Sequence, residues 1–361
     1  MDVQSISDVK SDRGRILGQM IEMGHEQVLF CHDAKSGLKA IIAVHSTVCG
    51  PSLGGTRMWQ YENEEEALYD VLRLSRGMTY KNSISGLNLG GGKAVIIGDS
   101  RKDKSKELFK RFGQFVDSLN GKYITAEDVG VSPADMVYVA QETNHVAGLP
   151  GKSGDPSPVT AYGVYMGMKA AANFHFGNDS LSGKKIVVQG VGHVGEYLVQ
   201  HLSNEGAELF VTDIHEPTLQ HVAKKYGASV IGVDEVYDMD MDIYSPCALG
   251  ATVNDDTLER LKCSIIAGAA NNQLANEEIH GEALRERGII YAPDYLINAG
   301  GVMNCYGEVS GLPQEEVMKM AENIYETTLD IFKSSREQGI PTYLAANRKA
   351  EKRIAELTAQ Q

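Results

Sequence analysis

Lys184-Lys-Ile-Val-Val-Gln-Gly-Val-Gly-His-Val-Gly195 is the stretch whose reading decides the fold. The apolar run to Gln189 predicts a strand, and a helical pattern runs on from the glycines to about Asn204. A second strand, Glu208-Leu-Phe-Val-Thr212, ends in Asp213. Strand, G-x-G-x-x-G, helix, strand and acid in this order are far more specific than a glycine pattern alone. Gly190 and Gly192 allow a tight turn and close approach of a pyrophosphate, Gly195 lets helix and strand pack, and the helix N-terminus attracts phosphate. Asp213, about 20 residues on, is placed to hydrogen-bond ribose hydroxyls. Its charge repels a 2′-phosphate, and Ile214-His-Glu-Pro217 holds no arginine to accept one, so the expected cofactor is NAD. Val194 lies within the motif, and His193 stands at its variable fourth position, where it either faces solvent or touches a phosphate.

Downstream, Asp242-Ile-Tyr-Ser-Pro-Cys247, Cys263-Ser-Ile-Ile-Ala267 and Ile289-Ile-Tyr-Ala292 continue the parallel rhythm. Their ends, Cys247 and Ala248 among them, are expected at the carboxyl edge of the sheet, where ligands bind. Asn271 and Asn272 follow one such end and are either amide ligands for nicotinamide or substrate, or ordinary turn asparagines. Upstream, Gly148-Leu-Pro-Gly-Lys-Ser-Gly-Asp-Pro-Ser-Pro158 is the linker candidate. From Pro313 the pattern is helical to the end, interrupted at Pro341.

The first half does not alternate as simple βαβ units. Gln27–Cys31 and Leu38–His45 read as a hairpin, and Asn63-Glu-Glu-Glu66 as a helix start with Glu66 returning the capping hydrogen bond. A mixed sheet is expected. Gly77-Met-Thr-Tyr-Lys-Asn82 and Gly86-Leu-Asn-Leu-Gly-Gly-Gly-Lys93 set two lysines close together, the second expected on a glycine turn that leaves room for a ligand. Ala94 follows Lys93, so this is not a phosphate loop of the G-x-x-x-x-G-K-[ST] kind. Gly50-Pro-Ser-Leu-Gly-Gly-Thr-Arg57 reads as another glycine-rich turn. Glu127 and Asp128 follow a short strand, and Ser132-Pro133-Ala-Asp135 supplies its own helix cap, which frees Asp128 from that duty.

Length and charge bound the rest. The 361 residues suit two domains, and 42% hydrophobic with 23% charged residues is ordinary for a globular protein. A net charge of -14 disfavours nucleic acid or anionic membrane as a main partner. No apolar run approaches a membrane span, and Met1–Met20 shows no apolar signal core. Five scattered cysteines without paired spacing point to reduced thiols, no zinc or other metal site, and the cytoplasm.

Taken together, Pro51–Arg57, Gly77–Lys81, Gly90–Lys93, Ala126–Gly130, Gly190–Gly195, Ala267–Gln273 and Asn298-Ala-Gly-Gly-Val302 resemble the amino-acid dehydrogenases of the glutamate, leucine, phenylalanine and valine superfamily, over nearly the whole chain. The resemblance is nearest to the leucine-directed branch. It implies NAD-dependent, reversible oxidative deamination of an L-amino acid to its 2-oxo acid and ammonia. By the same resemblance Lys81 holds the substrate carboxylate, Lys93 activates the attacking water, and Asp128 exchanges protons with the substrate nitrogen. The Gly54-Gly55 backbone helps seat the substrate and Asn272 lies beside its amino group. Thr160 and Asn271 flank the nicotinamide. Leu53, Ala126, Val302 and Cys305 line the side-chain pocket.

Glutamate-directed members carry lysine and serine where this chain has Leu53 and Cys305, and a buried unpaired carboxylate is expensive, which argues against glutamate. Phenylalanine-directed members tend to carry glycine where Ala126 stands. That favours leucine, valine and isoleucine, a preference worth about 1–3 kcal/mol.

The reading is therefore an α/β protein of two domains. Residues 1–148 form a substrate-binding and oligomerisation domain with a mixed sheet, and 149–334 a Rossmann-type NAD domain. A C-terminal helix, 335–361, is expected to return to the first domain, with the active site in the cleft between them. An octamer is carried over from the family. Phenylalanine dehydrogenase, and a noncatalytic NAD-binding sensor, are the competing functions.

Overall fold

The computed structural model describes residues 16–360, so the N-terminal stretch read above for a signal core lies, through residue 15, outside the described residues. The chain divides into two compact units, Met1–Gly154 with Glu356–Gln361, and Asp155–Ala355.

In unit 1 the strands are β1 (Gln27–Asp33), β2 (Leu38–Ser46), β3 (Ser52–Trp59), β4 (Gly90–Ile97) and β5 (Tyr123–Glu127). The helices are α1 (Ile16–Met23), α2 (Glu64–Ile84), α3 (Lys106–Asp117) and α4 (Pro133–Val139). The sheet runs β1-β2-β4-β3-β5, antiparallel on the β1, β2, β4 side and parallel where β3 meets β4 and β5. It is the mixed sheet expected. Both faces are covered, which is why β2 reads as one apolar run: Ala40, Ile42 and Val44 join a core with Phe109, Phe112 and Met136 from α3 and α4. Ile41 and Ala43 face the other way, onto Leu68, Val71 and Leu72 of α2.

Two glycine segments differ from their reading as turns. Gly54-Gly55 lies inside β3 and Gly90-Gly91-Gly92 opens β4. A Cβ at Gly91 would strike the backbone nitrogen and the hydroxyl of Thr79 on α2. One at Gly90 would strike the Ser46 carbonyl, and one at Gly92 the Tyr123 ring. The three glycines are thus consumed by close packing of a helix, a strand and an aromatic ring, and do not leave room for a ligand. At the other end of α2, Asn63 accepts from the Glu66 amide at 2.9 Å, whereas the Glu66 carboxylate accepts from Glu62, one residue earlier than the expected capping partner.

Against the sheet-facing side of α2 lie two histidines, His45 buried and His25 half-buried. His25 Nε2 is 2.8 Å from Ser75 Oγ, His45 Nδ1 is 2.8 Å from Thr79 Oγ1, and His45 Nε2 is 3.0 Å from the Met23 carbonyl. Burial pulls both below the ordinary 6.5, to about 4, and Arg76 reinforces this.

Unit 2 holds β6 (Lys185–Gln189), β7 (Glu208–Thr212), β8 (Ser229–Val230), β9 (Ile243–Pro246), β10 (Ile265–Ile266) and β11 (Ile290–Tyr291). These form one parallel sheet, β11-β10-β9-β6-β7-β8. Its early helices are α5 (Ser157–Phe176), α6 (His193–Glu205), α7 (Glu216–Tyr226), α8 (Asp255–Arg260) and α9 (Glu277–Glu286). They are followed by α10 (Asp294–Ile297), α11 (Gly300–Ser310), α12 (Gln314–Glu322), α13 (Ile324–Gln338) and α14 (Thr342–Thr358). The chain leaves β6 in one direction through β7 and β8 and resumes on its other flank with β9. The β6/β9 boundary is therefore the switch point at which open α/β sheets bind ligands. Asn347 of α14 accepts from the Tyr295 hydroxyl at 2.8 Å, which ties this helix to unit 2; the residues from Glu356 onward group with unit 1. Among the described residues, no helix is long and apolar enough to cross a membrane.

Two outcomes follow from these packings. Gly91→Ala should cost about 1–3 kcal/mol through the displacement of α2, read as a lowered unfolding midpoint. The histidine pair is held neutral in the fold, so its contribution is fully present above pH 6.5 and is lost as pH falls from there toward 4. The melting temperature should drop across that window, and His45→Gln should flatten the drop.

Candidate active site

In unit 1, β4 and β5 bring Lys93 and Asp128 together. Lys93 Nζ lies 2.8 Å from Asp128 Oδ2, with the lysine side chain only 8% exposed. The reach is made possible by β3, which runs between the two strands. Leu53 pairs with Gly91 and Thr56 with Ala94, so Gly55 stands level with Lys93 and, on its other side, opposite Ala126. With no side chain at Gly55, nothing from β3 blocks the ion pair; a Cβ there would come within 2.9 Å of the Asp128 Cβ. Gly54 has its carbonyl held by the Tyr123 hydroxyl at 2.7 Å, and Met78 of α2 lies 3.2 Å from where its Cβ would be. Lys81 sits one helical turn beyond Met78, on the same face of α2. Leu53 and Ala126 are buried in neighbouring strands.

Asp128 has a second cation. Arg57 Nε donates to the same Oδ2 at 3.2 Å, and its Nη1 donates to Asp70 at 2.9 Å. Burial by itself would raise the Asp128 carboxyl, but the Lys93 and Arg57 charges and the Lys93 hydrogen bond outweigh it and hold the group below the usual carboxylate value. Nothing local in Pro51–Arg57 signals this role for Arg57, because its partner Asp128 is remote from it in sequence.

In unit 2 the glycine motif meets the β9 end at the switch point. Gly190 has φ 100°, and a Cβ on it would lie 2.6 Å from the Ala248 methyl. Gly195 packs under the Gly190 carbonyl, and a Cβ on it would approach Cys247. Gly192 differs: a Cβ there would meet nothing within 4 Å, and as the N-cap of α6 it offers no side chain to the helix's first amides. Exposed His193 and half-buried Val194 begin that helix. An open, uncapped, thirteen-residue helix start is the chemistry that a pyrophosphate requires. At the end of β7, Asp213 accepts from the Val191 amide at 2.8 Å and the His215 amide at 2.8 Å, which aims its carboxylate at the motif. Ile214 and Leu249, 90% and 73% exposed, are apolar side chains beside this loop whose suitability for a purine face escaped the sequence reading.

Further along the edge, Asn298 donates to Asn271 Oδ1 at 2.8 Å and to the Ala269 carbonyl at 3.0 Å. Asn298 Oδ1 is buried with no hydrogen-bond partner among the described residues, an acceptor suited to a carboxamide. Asn272 adopts a left-handed φ of 52°. Thr160 Oγ1 donates to the Pro156 carbonyl at 3.0 Å and would lie 3.2 Å from a Cβ on Gly301. Val302 is buried and Cys305 half-buried on α11. Cys247 is a wall residue: burial pushes its thiol up, and its sulfur lies 3.5 Å from the Ala269 amide.

Residues 25–145 match the Glu/Leu/Phe/Val dehydrogenase dimerisation domain, and 151–215 with 211–361 match the Glutamate/Leucine/Phenylalanine/Valine dehydrogenase domain. The chain belongs to the Glu/Leu/Phe/Val dehydrogenase family. Leucine dehydrogenase of Bacillus subtilis is 57% identical to it over 338 residues, spanning 93% of each chain. Phenylalanine dehydrogenase of Lysinibacillus sphaericus is 49% identical over 338 residues, covering 91% of this chain and 88% of the relative. The crystal structure of L-tryptophan dehydrogenase from Nostoc punctiforme superposes with a TM-score of 0.86 at 47% identity, covering 95% of this chain and 99% of that one.

The protein is thus an amino-acid dehydrogenase of this family, with NAD as its cofactor and a Rossmann-type unit 2 whose residues fit it. Replacing Asp213 by serine should raise the KM for NAD and erode the preference over NADP by about tenfold or more, equivalent to ~1.4 kcal/mol. Parallel initial-rate measurements with the two cofactors check this.

Proposed function

We propose that the protein catalyses the reversible oxidative deamination of a branched-chain L-amino acid, leucine, valine or isoleucine. In the forward direction the amino acid, NAD and water give the 2-oxo acid, ammonium, NADH and a proton. The observation that carries the reading is the pairing of buried Lys93 with half-buried Asp128 at 2.8 Å. NAD accepts the hydride when bound; the remaining work falls to side chains. Lys81 anchors the substrate carboxylate, so that its Cα hydrogen has one orientation. Lys93 takes a proton from the water that attacks the imine carbon, and Asp128 exchanges protons with the substrate nitrogen. Asn272 supports that nitrogen, and the Gly54 and Gly55 backbone lies alongside.

The side-chain-binding residues assigned here, Leu53 and Ala126 in unit 1 and Val302 and Cys305 in unit 2, include no cation, which suits an uncharged substrate side chain. Ala126 in place of glycine favours a branched chain over an aromatic ring. The 57% identity to a leucine dehydrogenase supports that choice, and the phenylalanine and tryptophan dehydrogenases at 49% and 47% identity mark the aromatic alternative. The assignment also includes a homo-oligomer built on unit 1 and a cytoplasmic location.

Lys93→Ala should abolish turnover while largely sparing NADH binding, followed by nicotinamide fluorescence. Near-normal turnover in that variant refutes the mechanism. NADH appearance with leucine, valine, isoleucine, phenylalanine and tryptophan settles the substrate class, with the first three expected to give the highest kcat/KM. Silence across the whole panel would favour an NAD-binding sensor.

A further inference from the structure

We infer that Arg57 is a positioning residue for the reaction, a permanent cation that keeps Asp128 ionised and oriented while the charge on Lys93 changes during turnover. The inference rests on the proposed roles of Lys93 and Asp128. In that scheme Lys93 gains and loses a proton in each cycle. If Lys93 were the sole cation at Asp128, the carboxylate would bind its own proton more tightly each time the lysine became neutral. The two groups would then exchange protons with each other instead of with water and substrate.

The geometry supplies what prevents this. Arg57 Nε reaches Asp128 Oδ2 at 3.2 Å, the oxygen that Lys93 also contacts at 2.8 Å. A guanidinium stays charged at every working pH, whereas an ammonium need not. Arg57 is itself held. Its Nη1 donates to Asp70 Oδ2 at 2.9 Å, and that carboxylate also accepts from the Tyr61 hydroxyl at 2.8 Å and from Arg73 at 2.9 Å through its other oxygen. Burial alone would weaken the charge on Arg57, and the Asp128 and Asp70 carboxylates outweigh that effect. The groups facing Asp128 are therefore Lys93 from β4 and Arg57 from β3, with Asp70, Tyr61 and Arg73 behind the arginine. Tyr123 and Glu127 belong to β5, and burial keeps the Tyr123 phenol protonated. The side chains of Arg57 and Asp128 are 23% and 24% exposed and that of Asp70 is 15%, so solvent screens this chain of charges only in part.

The test is the pH profile of kcat/KM for the amino acid in Arg57→Gln, Arg57→Lys and Asp70→Asn, with Asp128→Asn as reference. Loss of the fixed cation should move the acid limb, which the coupled Lys93–Asp128 pair sets, upward by about one pH unit in Arg57→Gln. Arg57→Lys should restore part of the shift, and Asp70→Asn, which frees the guanidinium but also removes an anion, should shift the limb less than Arg57→Gln does. In each case kcat should fall more than KM rises, and NADH affinity should stay unchanged. An acid limb that stays in place in an Arg57→Gln protein that melts normally and binds NADH overturns the inference while leaving the Asp128 assignment intact, provided that Asp128→Asn is inactive. Full activity in Asp128→Asn overturns the underlying site assignment and the inference with it. A variant that fails to bind NADH or to melt cooperatively assigns Arg57 to the fold alone and counts against a catalytic positioning role.

Discussion

A carboxylate with two cations on one oxygen is the interaction on which unit 1 depends. Partly burying Asp128 is costly, and the cost is offset chiefly because Lys93 and Arg57 arrive from two adjacent strands at hydrogen-bonding distance. That arrival depends on an empty strip across the middle strand. β3 must lie between its neighbours without presenting a side chain at Gly54 or Gly55, and β4 must admit α2, the Ser46 carbonyl and the Tyr123 ring at three successive glycines. Electrostatics and packing are one constraint here, since a methyl group at any of these positions pushes apart the elements that carry the charges.

Unit 2 relies on a different device. Its parallel sheet places every carboxyl end on one edge, and the reversal of strand order between β6 and β9 opens a crevice there. Gly190 and Gly195 are used up in closing strand, turn and helix upon one another, and only Gly192 is left open. Asp213 does two jobs, bracing the turn through the Val191 amide while presenting a charge to whatever sits in the crevice.

Much of this was legible in the sequence because the relevant signals are local. The strand, glycine motif, helix and acid of unit 2 fall within one stretch, and the Asn63 and Ser132 caps announce their helices. The mixed direction of the first sheet also followed from the absence of a βαβ rhythm. What sequence could not supply was the difference between a glycine that bends the chain and one that admits a neighbour. Gly54, Gly55 and Gly90 to Gly92 lie in extended strands, and their need for hydrogen in place of a side chain comes from residues remote in the chain, such as Thr79 and Tyr123. The same distance hid Arg57, whose partners Asp70 and Asp128 are joined to it only by the fold.

The glycine bed beneath β3 also bears on how substrate preference can drift. Leu53 rides on β3, which is flanked on both sides by β4 and β5, and Ala126 on β5 beside it; a Cβ added at Gly54 or Gly55 would strike the Gly92 carbonyl or the Glu127 carbonyl. On the proposed assignment, that wall of the side-chain pocket cannot yield gradually to a larger guest. Changes of taste must come in discrete steps, one side chain exchanged for another, which makes this part of the molecule behave as a ratchet and not as a spring.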